Sequence, residues 1–273
     1  MTTPMLAPAA HVVVAHNTAA ASENRIHDDT VARRFGFRGA LVPGVTVFAY
    51  MAHMPVACWG RDWLERGAAE CKFRKPACEG DRVEVTAAVE DGALALSAEN
   101  AGIQYATGRA ALPPEQPTPL DLGAWPAGRP PQPSARPQAS ETSLAPGLFL
   151  GIHPATFDRA TVAGYLDAIQ ETASVYRREG LVHPGQILQL ANRALLENVV
   201  VGPWIHLSSS VRHRACAHLG ATFTLRSRIV TNEVVKGHAT VTFEALVIAD
   251  GTTAVAEIVH VAIWRPRQVA EAG

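Results

Sequence analysis

Between Ser22 and Gly44 the chain reads SENRIHDDTVARRFGFRGALVPG, which sets Asn24 and His27 three residues apart, with Glu23 ahead of them and Asp28 and Asp29 behind. Histidine is the side chain whose ordinary pKa lies nearest neutrality, and a carboxylate beside it makes a pair able to take a proton from one atom and return it to another. Glu23 lies four residues before His27 and shares its face if the segment turns helically, while Asp28 and Asp29 are near enough to reach the same site. The plainer alternative is a capped turn, with Asn24 bonding local backbone and His27 satisfied by a neighbour. Gly44 opens an apolar helical pattern, as does Gly185 at the end of GLVHPG. Backbone N–H groups at a helix start point outward with the positive end of the dipole and can polarise a carbonyl; glycine's backbone freedom alone is the other reason to place one there.

Residues so far apart can serve one site only if the chain folds back on itself, and its organisation suggests that it does. The segment from Pro113 to Pro146 holds 10 of the 19 prolines and almost no apolar periodicity, so it reads as an extended surface linker, 113–147, between halves spanning 1–112 and 148–273. The halves resemble each other. GALVPG (39–44) matches GLVHPG (180–185) with Gly, Pro and Gly in register, and each opens a helix with one apolar face: Val45, Phe48, Ala49, Ala52 and Val56 in the first, Ile187, Leu190, Ala191, Ala194 and Leu195 in the second. Downstream, FRKPACEG pairs with VRHRACAHLG through Arg74/Arg212, Ala77/Ala215 and Cys78/Cys216. Strand-like alternation follows in both halves, with Asp91-Gly92 and Asp250-Gly251 at hairpin positions. One apolar helix followed by long antiparallel strands, twice over, predicts an α+β fold: two sheets, each wrapped around a central helix and joined edge to edge as an internal pseudo-dimer.

Composition narrows the function. A formal net charge of -1, with 18% charged and 48% hydrophobic residues, argues against disorder and against nucleic acid as a partner. The N-terminus carries no basic region followed by a long apolar core, and no uncharged apolar run is long enough to span a bilayer, so a cytoplasmic protein with no membrane partner is expected. Cys58, Cys71, Cys78 and Cys216 form no CxxC pair and have no metal-ligand spacing with histidine, and His213 and His218 are too isolated for a metal site. Phosphate-binding glycine loops, the serine-hydrolase elbow and the zinc-protease helix are all missing, and no cofactor is expected.

SENRIHDD…GFRGALVPG resembles the MaoC-like family of hot-dog proteins, which includes the (R)-specific enoyl-CoA hydratases. The family pattern is Asp-x-Asn-Pro-x-His, an Ala about five residues on, Gly-Phe-x-Gly, and a His-Gly at the start of the central helix. Asn24, Ile26, His27, Ala32 and Gly36-Phe37-Arg38-Gly39 fit it, and Pro43-Gly44 stands at the helix start. Arg25 replaces the proline, and Ser22 stands where the family has its catalytic Asp. The same alignment in the second half puts Glu171 at the Asp position and Tyr176 at the His position, a pair that could do acid-base work if burial moved the carboxyl towards neutrality; helix-surface charge and a core-edge tyrosine are the ordinary alternative. The resemblance implies a double hot-dog fold and an acyl-CoA or acyl-carrier thioester substrate, with a homodimer among the assemblies expected. It also implies a grip on coenzyme A phosphates by basic residues among Arg33, Arg34, Arg38, Lys72, Arg74 and Lys75, with Ser22, Gly44 and Val45 near the thioester. Three activities follow from it: a hydratase or dehydratase using His27, Asn24 and a carboxylate (Glu23 or Glu171); a hot-dog thioesterase; or a non-catalytic thioester-binding subunit, because the motif Asp is a serine.

Overall fold

The computed structural model describes residues 6–267. The first half runs β1 (His11–Val14), α1 (Asp29–Arg34), α2 (Gly44–Trp59), α3 (Arg61–Arg66), β2 (Ala68–Phe73), β3 (Arg82–Glu90), β4 (Ala93–Asn100) and β5 (Ile103–Ala111). The second runs β6 (Phe149–Gly151), β7 (Ala155–Thr156), α4 (Arg159–Ala168), α5 (Ser174–Glu179), α6 (Pro184–Asn198), β8 (Ile205–His213), β9 (Thr222–Val235), β10 (His238–Ala249) and β11 (Thr253–Arg265). The strands form one sheet in the order β1-β3-β4-β5-β2-β8-β11-β10-β9-β6, with β7 alongside β9. Read from either end, this order gives the same sequence of equivalent strands, which is the pseudo-dimer in topological form. The halves meet where β2 pairs antiparallel with β8, from Ala68 opposite Arg212 to Lys72 opposite Ser208.

Both central helices are buried in the concavity and pack on each other. In α2 every residue from Val45 to Ala52 is buried, so the helix is apolar all round rather than on one face. Helix α6 keeps a stripe, burying Ile187, Leu188, Leu190, Ala191, Ala194 and Leu195. Each such leucine or isoleucine contributes about 1.5–3 kcal/mol by leaving water. The Asp-Gly turns are as expected: Asp91 and Gly92 (φ 49° and 74°) join β3 to β4, and Asp250 and Gly251 (φ 50° and 73°) join β10 to β11, the left-handed pair that suits a two-residue hairpin.

Two sequence registers require correction. The Val42 N–H donates to Ala77 O at 2.8 Å, as Val182 N–H does to Ala217 O at 2.8 Å, and Arg74 N–H donates to Tyr105 O as Arg214 N–H does to Val255 O. The equivalent pairs are therefore Arg74/Arg214 and Ala77/Ala217, two residues from the alignment on shared Arg, Ala and Cys. Leu41 and Leu181 make matching bridges, to Cys78 and His218. Pro43 thus corresponds to His183, and Gly44 to Pro184, so that Gly185 lies one residue deeper in its helix than Gly44.

Residues 113–147 cross the surface as a strap with only short 3-10 turns. It is held at several points: Arg214 and Arg226 donate to the carbonyls of Thr118 (3.0 Å) and Leu122 (2.7 Å), Ala139 N–H donates to Val200 O at 2.9 Å, and Leu144 is fully buried.

Candidate active site

His27 ends a short 3-10 turn whose preceding residue, Asn24, accepts from the Ile26 N–H as its cap. The His27 Nδ1 lies 2.7 Å from the Leu41 carbonyl, which can only accept, so Nδ1 carries the proton and Nε2 is left as a lone pair. Nε2 accepts from the Asn24 amide N–H at 3.3 Å. Burial lowers the His27 pKa from its ordinary value, against a smaller upward pull from the Leu41 carbonyl, so the ring is a neutral base near pH 7. Asn24, itself buried, is pinned by the other half: its Nδ2 donates to Trp204 O at 3.1 Å and its Oδ1 accepts from Trp204 N–H at 3.3 Å. The expected capped turn is present, and His27 is its last residue.

This histidine opens onto a cavity of about 260 Å³ between the halves. Its walls are mostly apolar, with Ile26, Phe37, Val47, Phe73, Ile205, Leu207 and Ile263 among them, and Arg74 and Lys75 also line it. Gly44 forms part of the lining and approaches the opposite wall so closely that a Cβ there would stand 2.8 Å from His206 Nδ1 and 3.1 Å from Phe73 Cε2. The residue before it, Pro43, offers no side-chain cap, and the helical bonds begin with Thr46 N–H to Pro43 O at 2.9 Å. The leading N–H groups of α2, those of Gly44 and Val45, find no acceptor among the described residues. No carboxylate among the described residues lines the cavity.

Three second-half residues that line the same cavity each carry a buried polar atom with no partner among the described residues: Trp204 Nε1, His206 Nδ1 and Asn192 Oδ1. Sequence reasoning missed all three residues, which lie more than 160 positions from His27. The only local signal is the cluster of Trp and His in the run PWIHLSSS at the start of β8. A larger groove, about 620 Å³, lies against strand residues such as Glu70, Arg109, Arg212 and Glu257 beside Trp125, and contains none of the motif residues except those at the β2–β8 seam.

The pair expected in the second half is built differently. Glu171 is buried, its Oε1 accepting from Ala173 N–H at 2.6 Å and lying 2.8 Å from His53 Nδ1 of α2, with His183 Nε2 3.6 Å from Oε2. Burial alone would raise its pKa, but the two imidazoles and the Ala173 N–H hold it below the ordinary carboxylate range, so it is ionised and not moved towards neutrality. Tyr176 is fully buried, packs on the His183 ring at 4.7 Å, and its hydroxyl makes no hydrogen bond to Glu171; burial, then the Glu171 charge, raises its pKa well above the usual phenol value. The start of α6 is closed: His183 Nδ1 accepts from Gly185 N–H at 3.0 Å in a capping box with Gln186, and a Cβ at Gly185 would collide with the Tyr165 hydroxyl. Ser22 accepts from Asn24 N–H at 3.1 Å, the same two-residue pattern as Glu171 and Ala173, which supports aligning Ser22 with Glu171.

Several other expected positions lie apart from the cavity. Glu23 is exposed and paired with Arg136 of the strap at 2.9 Å, so it turns away from His27. Asp28 caps α1 by accepting from Val31 N–H, and Asp29 pairs with Arg33 at 2.9 Å while accepting from Ala40 N–H; neither is His27's partner. Arg34 is exposed outside the lining, and Arg38 is engaged with Asp81 at 2.6 Å. Val45 packs into the core, and its neighbour two residues on, Val47, reaches the cavity instead. Of the basic residues expected at a phosphate grip, the structure places Arg74 and Lys75 in the lining.

Neither a family model nor a curated protein sequence matches the chain. Solved structures do. Rv0216 of Mycobacterium tuberculosis, described as having a double hot-dog fold, superposes with a TM-score of 0.65 at 15% identity, covering 93% of this chain and 95% of that one. A protein of Chloroflexus aurantiacus described as a MaoC domain dehydratase gives 0.62 at 14% identity over 94% and 95%. One of Thermobifida fusca described as a thioesterase II gives 0.50 at 16% over 83% and 88%. The fold is thus the double hot-dog fold, shared with MaoC-like dehydratases. No helix among the described residues is long and apolar enough to cross a membrane.

Proposed function

We propose that the chain is an acyl-thioester hydratase or dehydratase working at one composite site, the His27 cavity. The observation that carries this reading is the conjunction, in a single cavity, of a neutral imidazole of fixed tautomer and an uncapped helix start. A 2-enoyl thioester placed with its carbonyl at the first N–H groups of α2 would have its developing negative charge stabilised there. His27 Nε2, exchanging its long contact to the Asn24 amide for a water, would take a proton from that water as the new C3–O bond forms, and the imidazolium would return the proton to C2; dehydration is the reverse. Asn24 keeps the ring in place and ties it to the second half.

The cavity volume, about 260 Å³, lies below the roughly 300–1,000 Å³ typical of sites for drug-sized ligands, which favours a short acyl group. Arg74 and Lys75 are the residues to meet coenzyme A phosphates. In this reading the halves 1–112 and 148–273, joined by 113–147, act as one unit, and Glu171 and Tyr176 belong to a closed counterpart site whose part is to hold α2 to the second half. One observation favours a second reading: with no carboxylate in the lining among the described residues, the protein would bind thioesters without turning them over. Calorimetry and a hydration assay with short 2-enoyl-CoA esters separate the two. Binding with turnover supports the hydratase, binding without turnover supports the binding subunit, and no affinity for any thioester ends both.

A further inference from the structure

His206 lies on β8, in the half opposite His27, is 7% exposed, and is among the residues lining the cavity. Its Nε2 is 3.2 Å from the Ser208 carbonyl and 2.8 Å from Ser209 Oγ. A carbonyl cannot donate, so Nε2 carries the ring proton and Nδ1 is a lone pair. That lone pair has no partner among the described residues and is the atom nearest the place a Gly44 Cβ would occupy. Behind the ring, Ser209 Oγ accepts from Nε2 and is left to donate to His260 Nδ1 at 3.0 Å, while the two imidazoles stack at 4.0 Å. The chain His206–Ser209–His260 therefore runs in one direction and locks both the tautomer and the orientation of His206. An acceptor buried without a partner is unfavourable, and such a group calls for a donor from outside the protein.

We propose that His206 is the second acceptor for the reacting oxygen in the His27 cavity, filling the role that Ser22 cannot fill. A nucleophilic water has two hydrogens. One passes to His27 Nε2 as the C3–O bond forms, while the π electrons of C2=C3 move towards the thioester carbonyl. The other stays on oxygen, held in a hydrogen bond to His206 Nδ1, and remains there in the 3-hydroxyacyl product. The His27 imidazolium then gives its proton to C2, and both rings finish neutral. Burial lowers the His206 pKa well below the ordinary value, with His260 adding to the effect, which suits an acceptor that is not itself protonated. Ser209 and His260 are positioning residues. This inference rests on the function proposed above.

The test follows the histidine nitrogens of the wild-type protein by nitrogen-15 NMR during titration with 3-hydroxybutyryl-CoA and with butyryl-CoA, which lacks the hydroxyl. The expected result is a His206 in the Nε2-protonated tautomer whose Nδ1 resonance moves with the hydroxy ester and not with the saturated one. A His206 protonated on Nδ1, or one unmoved while His27 responds, overturns the inference and leaves the hydratase reading standing. If neither histidine responds to any thioester, the hydratase reading fails and takes this one with it. In the activity assay, His206→Leu is expected to lower kcat by about 10²-fold with little change in KM, and His206→Asn, whose amide oxygen can lie near the place of Nδ1, to recover part of it. Equal losses in the two variants, with both folded, count against the acceptor role.

Discussion

At the scale of single residues, the proposed function gives His27 the chemistry and Glu171 a structural part. His27→Ala is expected to lower kcat by about 10²–10⁴-fold with the denaturation midpoint nearly unchanged, because its ring lines the cavity and lies outside the main core. Glu171→Gln is expected to do the opposite, costing about 1–3 kcal/mol in urea unfolding by weakening a buried charge-assisted contact to His53, with turnover largely kept. A pH profile supplies a further check. Since burial lowers the His27 pKa and its neutral form is the base, kcat/KM should fall on the acid side with an apparent pKa below 6.5. The His27 site was legible in the sequence because its residues are contiguous and their spacing is stereotyped. Its partners Trp204, Asn192 and His206 were not, since no local pattern in β8 or α6 says which side chains face a motif from the other half.

At the scale of elements, the start of α2 is the informative one. Gly44→Ala is expected to reduce turnover by at least tenfold while leaving the helix intact, because the added methyl must displace His206 or Phe73 at 2.8 and 3.1 Å; a crystal structure of the variant with an unmoved His206 and normal kcat would count against this. The sequence showed both central helices and the two Asp-Gly hairpins, since apolar periodicity and left-handed turn chemistry are local signals. It hid β2, β5 and β8, whose runs AAECKF, IQYATGRAA and IHLSSSVRH mix small and polar residues and become strands through their pairing, β2 with β8 across the seam and β5 between β4 and β2. The repeat registers slipped for a related reason. Identity of Gly, Pro, Ala and Cys drew the alignment, whereas the backbone bonds of Val42 and Val182 set the true correspondence.

At the scale of the whole molecule, one sheet runs through both halves, so unfolding should be a single transition, with tryptophan fluorescence and far-ultraviolet circular dichroism coinciding in denaturant. Acid should weaken it early. His213 and His260 are buried, and burial lowers their pKa values to about 4 and about 3, with His206 shifted the same way. The unfolded chain then binds protons first as pH falls below about 6.5, so the stability present above that pH is progressively lost towards pH 4. By pH 5 His213 and His260 should each have cost on the order of 2 kcal/mol, read as a fall in the urea midpoint between pH 7 and pH 5, with His206 acting in the same direction. An unchanged midpoint would mean that these rings are more accessible to protons than their burial implies.

Tyr165, filling the space beside Gly185, has a consequence that only a tandem chain permits. In an assembly of two identical subunits, any substitution that stops up one mouth stops up the other, and activity disappears with it. Here the copies are covalently joined and separately encoded, so one mouth can be sealed by a phenol, a histidine cap and a buried carboxylate while the other stays open. The sealed end is left as a buried, ionised clasp that ties α2 to the second half through His53.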